Sequence, residues 1–190
     1  KTLKSYDKKI ILKAISSDKK YLEGLFFPDS YYFYKNTSDI EMLQNSHSVL
    51  KRKLQYAWDN RSAELPYQNM YEALIIASII EKEVGVIEEA PIIAGVFVNR
   101  MNIGMRLQSD PTVIYGMGKR FKGNITRKDL KKDTPFNTYT RRGLPPSPIS
   151  LPSLNSIEAA LNPATTNALY FVAKGNRRHH FSATLKEHNR

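Results

Sequence analysis

Two acidic residues, Glu81 and Glu83, follow directly on an eight-residue run of apolar and small side chains, Ala73 to Ile80. The run predicts a helix that opens at Asn69, with Glu72 three residues on in a capping-box position, and that Gly85 stops in the left-handed conformation. A helix apolar on every face is a central one, buried on several sides. Glu81 and Glu83 then stand at its C-terminal end, where the helix dipole disfavours a carboxylate by roughly 0.3–1 kcal/mol each. A carboxyl held there beside Ile79 and Ile80 has its pKa pushed up, as a general acid working near neutrality requires. Solvation, or pairing with Lys82 and nearby basic groups, accounts for the two glutamates equally well, and spacing alone leaves both readings open.

A second set of residues suits carbohydrate. Arg106, Gln108, Ser109, Asp110 and Thr112 fall in one loop, and Asn137, Thr138 and Tyr139 precede a proline-rich stretch. Amides and hydroxyls can bind sugar hydroxyls and N-acetyl groups, and an aromatic face stacks on a pyranose ring. Asp110 is the one further acid near a recognisable helix cap, so a hydrolase using two carboxylates stays open without a placement to support it. Other chemistries are poorly served. The four histidines, at 47, 179, 180 and 188, have no zinc-ligand spacing, and no metal or other cofactor is expected. The absence of cysteine removes thiol nucleophiles and Cys-ligated metals and leaves the compartment open. No G-x-S-x-G elbow is present. Gly116-Met117-Gly118 lacks a third glycine at dinucleotide-binding spacing and reads as a helix stop.

The elements that must position these groups are those of one ordinary domain: 190 residues, 41% hydrophobic and 25% charged. A chain this long buries roughly 70% of its unfolded surface and needs no staple. No apolar stretch approaches the ~20 residues of a membrane span, and no signal peptide is present, so this piece is expected to be soluble. Its net charge of +11 calls for an anionic neighbour. The basic pairs and triplets are scattered, from Lys8-Lys9 to Arg177-Arg178, without a run of five or six, which weakens nucleic acid as that neighbour.

Residues 1–22 read as a lysine-rich lead-in, the remnant of a preceding lobe or linker, and 23–190 as the working domain. Six of the ten residues from Leu25 to Tyr34 are aromatic and flank Pro28-Asp29-Ser30, predicting two short strands about a turn. Asp39 to Asn60 has helical periodicity, and Pro91 opens another helix. Asp110-Pro111 reads as the cap and first turn of a short helix stopped by Gly116. Five of the ten prolines lie between Pro135 and Pro152, a stiff segment suited to walling a groove. Ser153 caps a helix to Leu161, and 168–183 make a closing hairpin about Gly175-Asn176. Central helices with hairpins at both ends argue for an α+β fold.

Several strings, in order along the chain, carry a resemblance: Leu22-Glu23-Gly24 with Phe27-Pro28-Asp29, Ala77 to Glu83, Val96 to Arg100, Ile103 to Gly116, Asn137-Thr138-Tyr139, Gly143-Leu144-Pro145-Pro146 and Leu169 to Ala173. Together they resemble the YceG-like family, the MltG-type endolytic murein transglycosylases. The resemblance implies lytic cleavage of the β-1,4 bond between N-acetylmuramic acid and N-acetylglucosamine in peptidoglycan, leaving 1,6-anhydromuramyl ends and so limiting strand elongation. It makes Glu83 the catalytic acid and then base and Glu81 a neighbour that tunes it; Asn99, with the eight loop residues named above, is expected to contact the substrate. It implies peptidoglycan glycan strands as partner, with wall synthases beside them and no nucleic acid. The parent would be anchored in the bacterial inner membrane with its catalytic part facing the periplasm. A basic module that holds glycan without cutting it is the alternative.

Overall fold

The computed structural model of the chain describes residues 6–189, so the first five residues of the lead-in lie outside the described residues. Eight helices are α1 (Lys8–Ala14), α2 (Asp39–Asp59), α3 (Met70–Glu83), α4 (Ala90–Asn102), α5 (Asp110–Met117), α6 (Arg127–Lys131), α7 (Leu154–Leu161) and α8 (Leu185–His188). Strands β1 (Tyr170–Ala173) and β2 (His179–Ser182) lie between α7 and α8 and pair antiparallel, Tyr170 opposite Ser182 and Ala173 opposite His179. The fold is α+β, with one small sheet beside the helices.

Helix α3 is the centre. Asn69 accepts the Glu72 N–H at 3.0 Å, and every residue from Ala73 to Ile80 is buried. Helices α2, α4, α5 and α7 pack around it, so the run has no solvent face and no polar stripe. Ser78 is the one polar member. Its hydroxyl donates to Ile75 O and accepts the Ile149 N–H at 2.9 Å, while Ser150 Oγ donates to Ser78 O. A single buried serine thus ties the proline-rich segment to the core with its polar groups satisfied.

The prolines of that segment wall a groove away from the glutamates, while Tyr139 near its start reaches the Glu83 side. Leu144, Pro145 and Pro146 line a hollow of about 510 Å3 with Asn69, Tyr71 and Glu72, at the opposite end of α3 from Glu83. Three local expectations are also corrected. No strand forms over 25–34. The backbone there is taken up by α2: Phe27 N–H donates to Ser46 O, Ser46 Oγ donates to Phe27 O at 3.0 Å, and His47 Nδ1 donates to Leu25 O at 2.7 Å. Leu25 and Phe27 are buried while Tyr32 and Tyr34 face solvent, so tertiary packing overrides the aromatic β-preference. Ser109, not Asp110, holds the N-cap position of helix α5 without a side-chain capping bond, Asp110 and Pro111 lie in its first turn, and the helix runs through Gly116 to end at Gly118 in a positive-φ conformation. Helix α3 ends on extended Val84, and Gly85 has no positive φ. A Cβ at Gly85 would come within 2.0 Å of Arg177 O, so glycine serves there to let the β1–β2 turn approach.

Candidate active site

Residues two apart on a helix point about 200° apart, so Glu81 and Glu83 meet different surroundings. Glu81 turns to the start of α7. Its Oε2 accepts the Ser153 N–H at 2.9 Å and the hydroxyls of Ser153 and Ser156, both at 2.6 Å. Partial burial pushes its pKa up, but the hydrogen bonds from Ser153 and Ser156, with Lys82 beside it, outweigh that and hold it below the usual value. Glu81 is an anchor between α3 and the α7 N-terminus, where the dipole favours a carboxylate.

Glu83 turns the other way, into a cleft of about 230 Å3. Its Oε1 accepts one hydrogen bond, from Ser109 Oγ at 2.6 Å. Burial pushes its pKa up, and the Asp110 charge adds to the rise; the Ser109 hydrogen bond and the Arg100 charge offset part of it, and the carboxyl stays above its ordinary range. Unlike Glu81, it is biased toward the protonated form.

Ser109 is held by a lattice of threonines. Its N–H donates to Thr138 Oγ1 at 3.0 Å, Thr112 Oγ1 donates to Ser109 O at 2.7 Å, and the two threonine hydroxyls lie 2.9 Å apart. The Gln108 N–H donates to Thr138 O, and Gln108 itself takes a φ of 50°, an uncommon conformation for a non-glycine residue. Beneath them, buried Asn137 donates to Leu130 O and Lys132 O and accepts the Tyr139 N–H at 2.8 Å. Tyr139 OH then donates to Asp110 Oδ1 at 2.5 Å, across the mouth of the cleft. Burial, and then the bond to Asp110, push the Tyr139 pKa well up, so the phenol remains a donor.

The opposite wall is the hairpin, which supplies Phe171, Val172, Ala173 and His179. Arg100, only 6% exposed, joins the two walls. Its Nε donates to Leu169 O at 2.6 Å and its Nη1 to Leu107 O at 2.7 Å. A buried guanidinium bonded through Nε and Nη1 to carbonyls of both walls ties them together and leaves its charge near Glu83.

Of the residues singled out from sequence, Glu83, Gln108, Asp110 and Tyr139 line the cleft, and Ser109 bonds to the glutamate. Thr112, Thr138 and Asn137 hold the loops from behind. Asn99 spends its amide on Thr166 O and Ala168 O, and the Arg106 side chain is exposed outside the cleft lining. These five are scaffold and rim, not cleft contacts. Arg100, Phe171 and His179 were not singled out as site residues. Arg100 and Phe171 sit within strings of the resemblance, but nothing near His179 in sequence marks it. Among the described residues no group of three or more His, Asp or Glu side chains is gathered to hold a metal ion.

A half-buried carboxyl biased toward its acid form, facing hydroxyl, amide and phenol groups and one aromatic ring, can deliver a proton to an oxygen of a bound sugar and take one back. Comparison with known proteins agrees in kind. The chain is 40% identical over 170 residues to a Bacillus subtilis (strain 168) protein named endolytic murein transglycosylase, covering 89% of this chain and 46% of that one. It is 35% identical over 156 residues to a protein of the same name from Streptococcus pneumoniae (strain ATCC BAA-255 / R6), covering 80% of this chain and 28% of that one. The chain therefore spans about half the length, or less, of these curated relatives. A crystal structure of a yceG-like protein from Listeria monocytogenes superposes with a TM-score of 0.77 at 34% identity, over 95% of this chain and 62% of that one. The model of the YceG-like family matches residues 2–190, nearly the whole chain, and this chain belongs to that family.

Proposed function

We propose that this chain is the catalytic portion of an endolytic murein transglycosylase, with residues 23–190 as the working domain. The carrying observation is the carboxyl of Glu83, pushed toward its protonated form by burial and bound by one hydroxyl at the floor of a polar cleft. The names of the relatives supply the substrate class, and the net charge of +11 suits an anionic wall polymer.

Glu83 protonates the glycosidic oxygen as the bond between N-acetylmuramic acid and N-acetylglucosamine breaks. Its carboxylate then takes the proton of the muramyl C6 hydroxyl as that oxygen bonds to the anomeric carbon, closing a 1,6-anhydro ring and returning Glu83 to its acid form. The nucleophile belongs to the substrate, so positioning replaces an attacking water. Ser109 steadies the carboxylate between the two proton transfers, and Gln108 and Tyr139 meet the sugar. The parent protein is anchored in the membrane with this part on the outer, wall-facing side, beside the synthases whose strands it ends; among the described residues no helix is long and apolar enough to cross a membrane.

Asp110 shares the cleft, which keeps a two-carboxylate hydrolase as the competing reading. Digestion of purified sacculi and mass analysis of the new ends separates them. Anhydromuramyl ends support the proposal; reducing muramyl ends mean that water attacked; no new ends, with glycan retained, mean a binding module.

A further inference from the structure

The single-acid reading leaves one titratable group of the cleft without work. The His179 ring lines the cleft with Glu83, and its Nδ1 lies 2.8 Å from Oε2 of Glu89, a carboxylate only 8% exposed. Both Glu89 oxygens also accept the His179 backbone N–H, at 3.2 and 3.1 Å. Phe171 meets the imidazole edge-on at 5.4 Å between centroids, and Phe181 stands 6.2 Å away. Pinned at its backbone and at one nitrogen, and packed against two rings, the imidazole has a set orientation. Burial works against the Glu89 charge, but the His179 hydrogen bonds outweigh it and hold this carboxyl below its ordinary range. A carboxylate only accepts, so the hydrogen of a neutral His179 sits on Nδ1 and Nε2 carries the lone pair. Nε2 lies on the far side of the ring from Glu89 and has no hydrogen bond to protein among the described residues.

We infer that Glu89 and His179 form a substrate-orienting pair: Glu89 sets the tautomer, and Nε2 of His179 accepts a hydrogen bond from a hydroxyl or amide N–H of the sugar lying against Glu83. Glu89 is the positioning residue and His179 the substrate contact. The inference rests on the transglycosylase reading and adds to it an acceptor on the hairpin wall, opposite the Gln108 amide on the other. A polar contact on each wall restricts how a sugar ring can lie, and orientation is what an internal attack by the substrate's own hydroxyl depends on.

Glu89→Gln tests it without emptying the site. The glutamine oxygen can still accept the His179 backbone N–H, while its NH2 donates to Nδ1 and drives the ring hydrogen to Nε2. The expected result is a folded protein with a cooperative melt, 15N shifts of labelled histidine showing the hydrogen on Nε2, and a fall of ~10²-fold in kcat/KM for release of anhydromuramyl ends. In His179→Gly, free imidazole restores part of the lost rate; this second variant decides the matter if Glu89→Gln does not fold. Wild-type rate in a folded Glu89→Gln with the hydrogen moved overturns the inference, as does loss in His179→Gly without rescue, which would mean that the ring only packs. Wild type and Glu83→Gln run beside them: no anhydro ends from wild type overturns the functional reading and this pair with it, whereas an active wild type with full activity in both variants overturns the pair alone.

Discussion

Glu81 and Glu83 belong to one helical turn, yet one faces an anchor and the other a cleft. On the Glu81 side the C-terminal end of α3 meets the N-terminal end of α7, and three hydrogen bonds converge on one carboxylate oxygen. On the Glu83 side the same helix end meets a loop and a hairpin, and a single serine hydroxyl reaches the carboxylate. The unfavourable dipole at the end of α3 is therefore answered for Glu81 by the favourable dipole of a second helix and left standing for Glu83. Burial pushes both pKa values up; at Glu81 the hydrogen bonds from Ser153 and Ser156 outweigh it, and at Glu83, where burial is deeper and the Asp110 charge adds to the rise, one hydroxyl does not.

The sharpest way to break this comparison is to neutralise each carboxyl in turn. Glu83→Gln should keep the Ser109 contact and the fold while losing ~10²–10⁴-fold in release of anhydromuramyl ends from sacculi, the range typical of a positioned acid–base group. Equal loss in Glu81→Gln, with Glu83→Gln active, would exchange the two roles. Gly85→Ala comes next. Its methyl group meets Arg177 O and must displace the hairpin that walls the Glu83 side, so kcat/KM should fall ~10²-fold, as a misplacement of about 1 Å can cause. Circular dichroism should show the helices intact, because only the hairpin has to move.

Glu81→Ala should act on stability instead. Removing the acceptor leaves the Ser153 N–H and hydroxyl and the buried Ser156 hydroxyl without it, at a cost of about 2 kcal/mol, near the middle of the range for hydrogen bonds to a charged group. For a chain of this size that is roughly 4–8 °C in melting temperature, with activity within a few-fold of wild type below the transition. Ser109→Ala should remove the one hydrogen bond that lowers the Glu83 pKa and move the alkaline limb of the pH–rate profile upward; an unmoved limb would mean that another group sets it.

The smallest effect should be the most diagnostic, because its sign differs between the two sides. The Glu83 pKa is raised above 4.5 on folding, so the native state binds more protons than the unfolded one just above that pH, and this contribution to stability is lost as pH rises through the folded value. Glu83→Gln should therefore be more stable than wild type at pH 7, with the gap closing below 4.5. The Glu81 pKa is lowered from 4.5, so its contribution is present above that pH and lost as pH falls through the folded value. Glu81→Gln should be less stable than wild type at pH 7, and that gap should also close in acid. Urea melts of both variants from pH 3 to 8 read the two signs directly.

Much of this was legible where the signal is short-range. Asn69 with Glu72, Ser153 before α7, and the hairpin about Gly175-Asn176 each declare themselves within a few residues, since caps and turns are local hydrogen-bonding problems. The stretch from Leu25 to Tyr34 misled for the same reason. Its aromatic content is a local signal, while its backbone partners, Ser46 and His47, belong to a helix that lies beyond it in sequence. Asn137 and Thr138 looked like sugar ligands because buried polar side chains and exposed ones are the same letters in sequence. His179 and Glu89 were invisible as a pair, because nothing local ties β2 to the turn before α4.

From sequence alone came an apolar central helix ending in two carboxylates, an α+β arrangement around it and, through ordered strings from Leu22 to Ala173, a family resemblance. Which carboxyl is pushed toward its protonated form and which is held as a bonded carboxylate is decided only in three dimensions. Helical geometry sends residues two apart to opposite sides, and the chemistry of each side is supplied by segments distant in the chain: Ser153 and Ser156 for one, Ser109 and the hairpin for the other. A pKa is a property of that assembled surrounding, so identical side chains on one helical turn came to hold their protons differently.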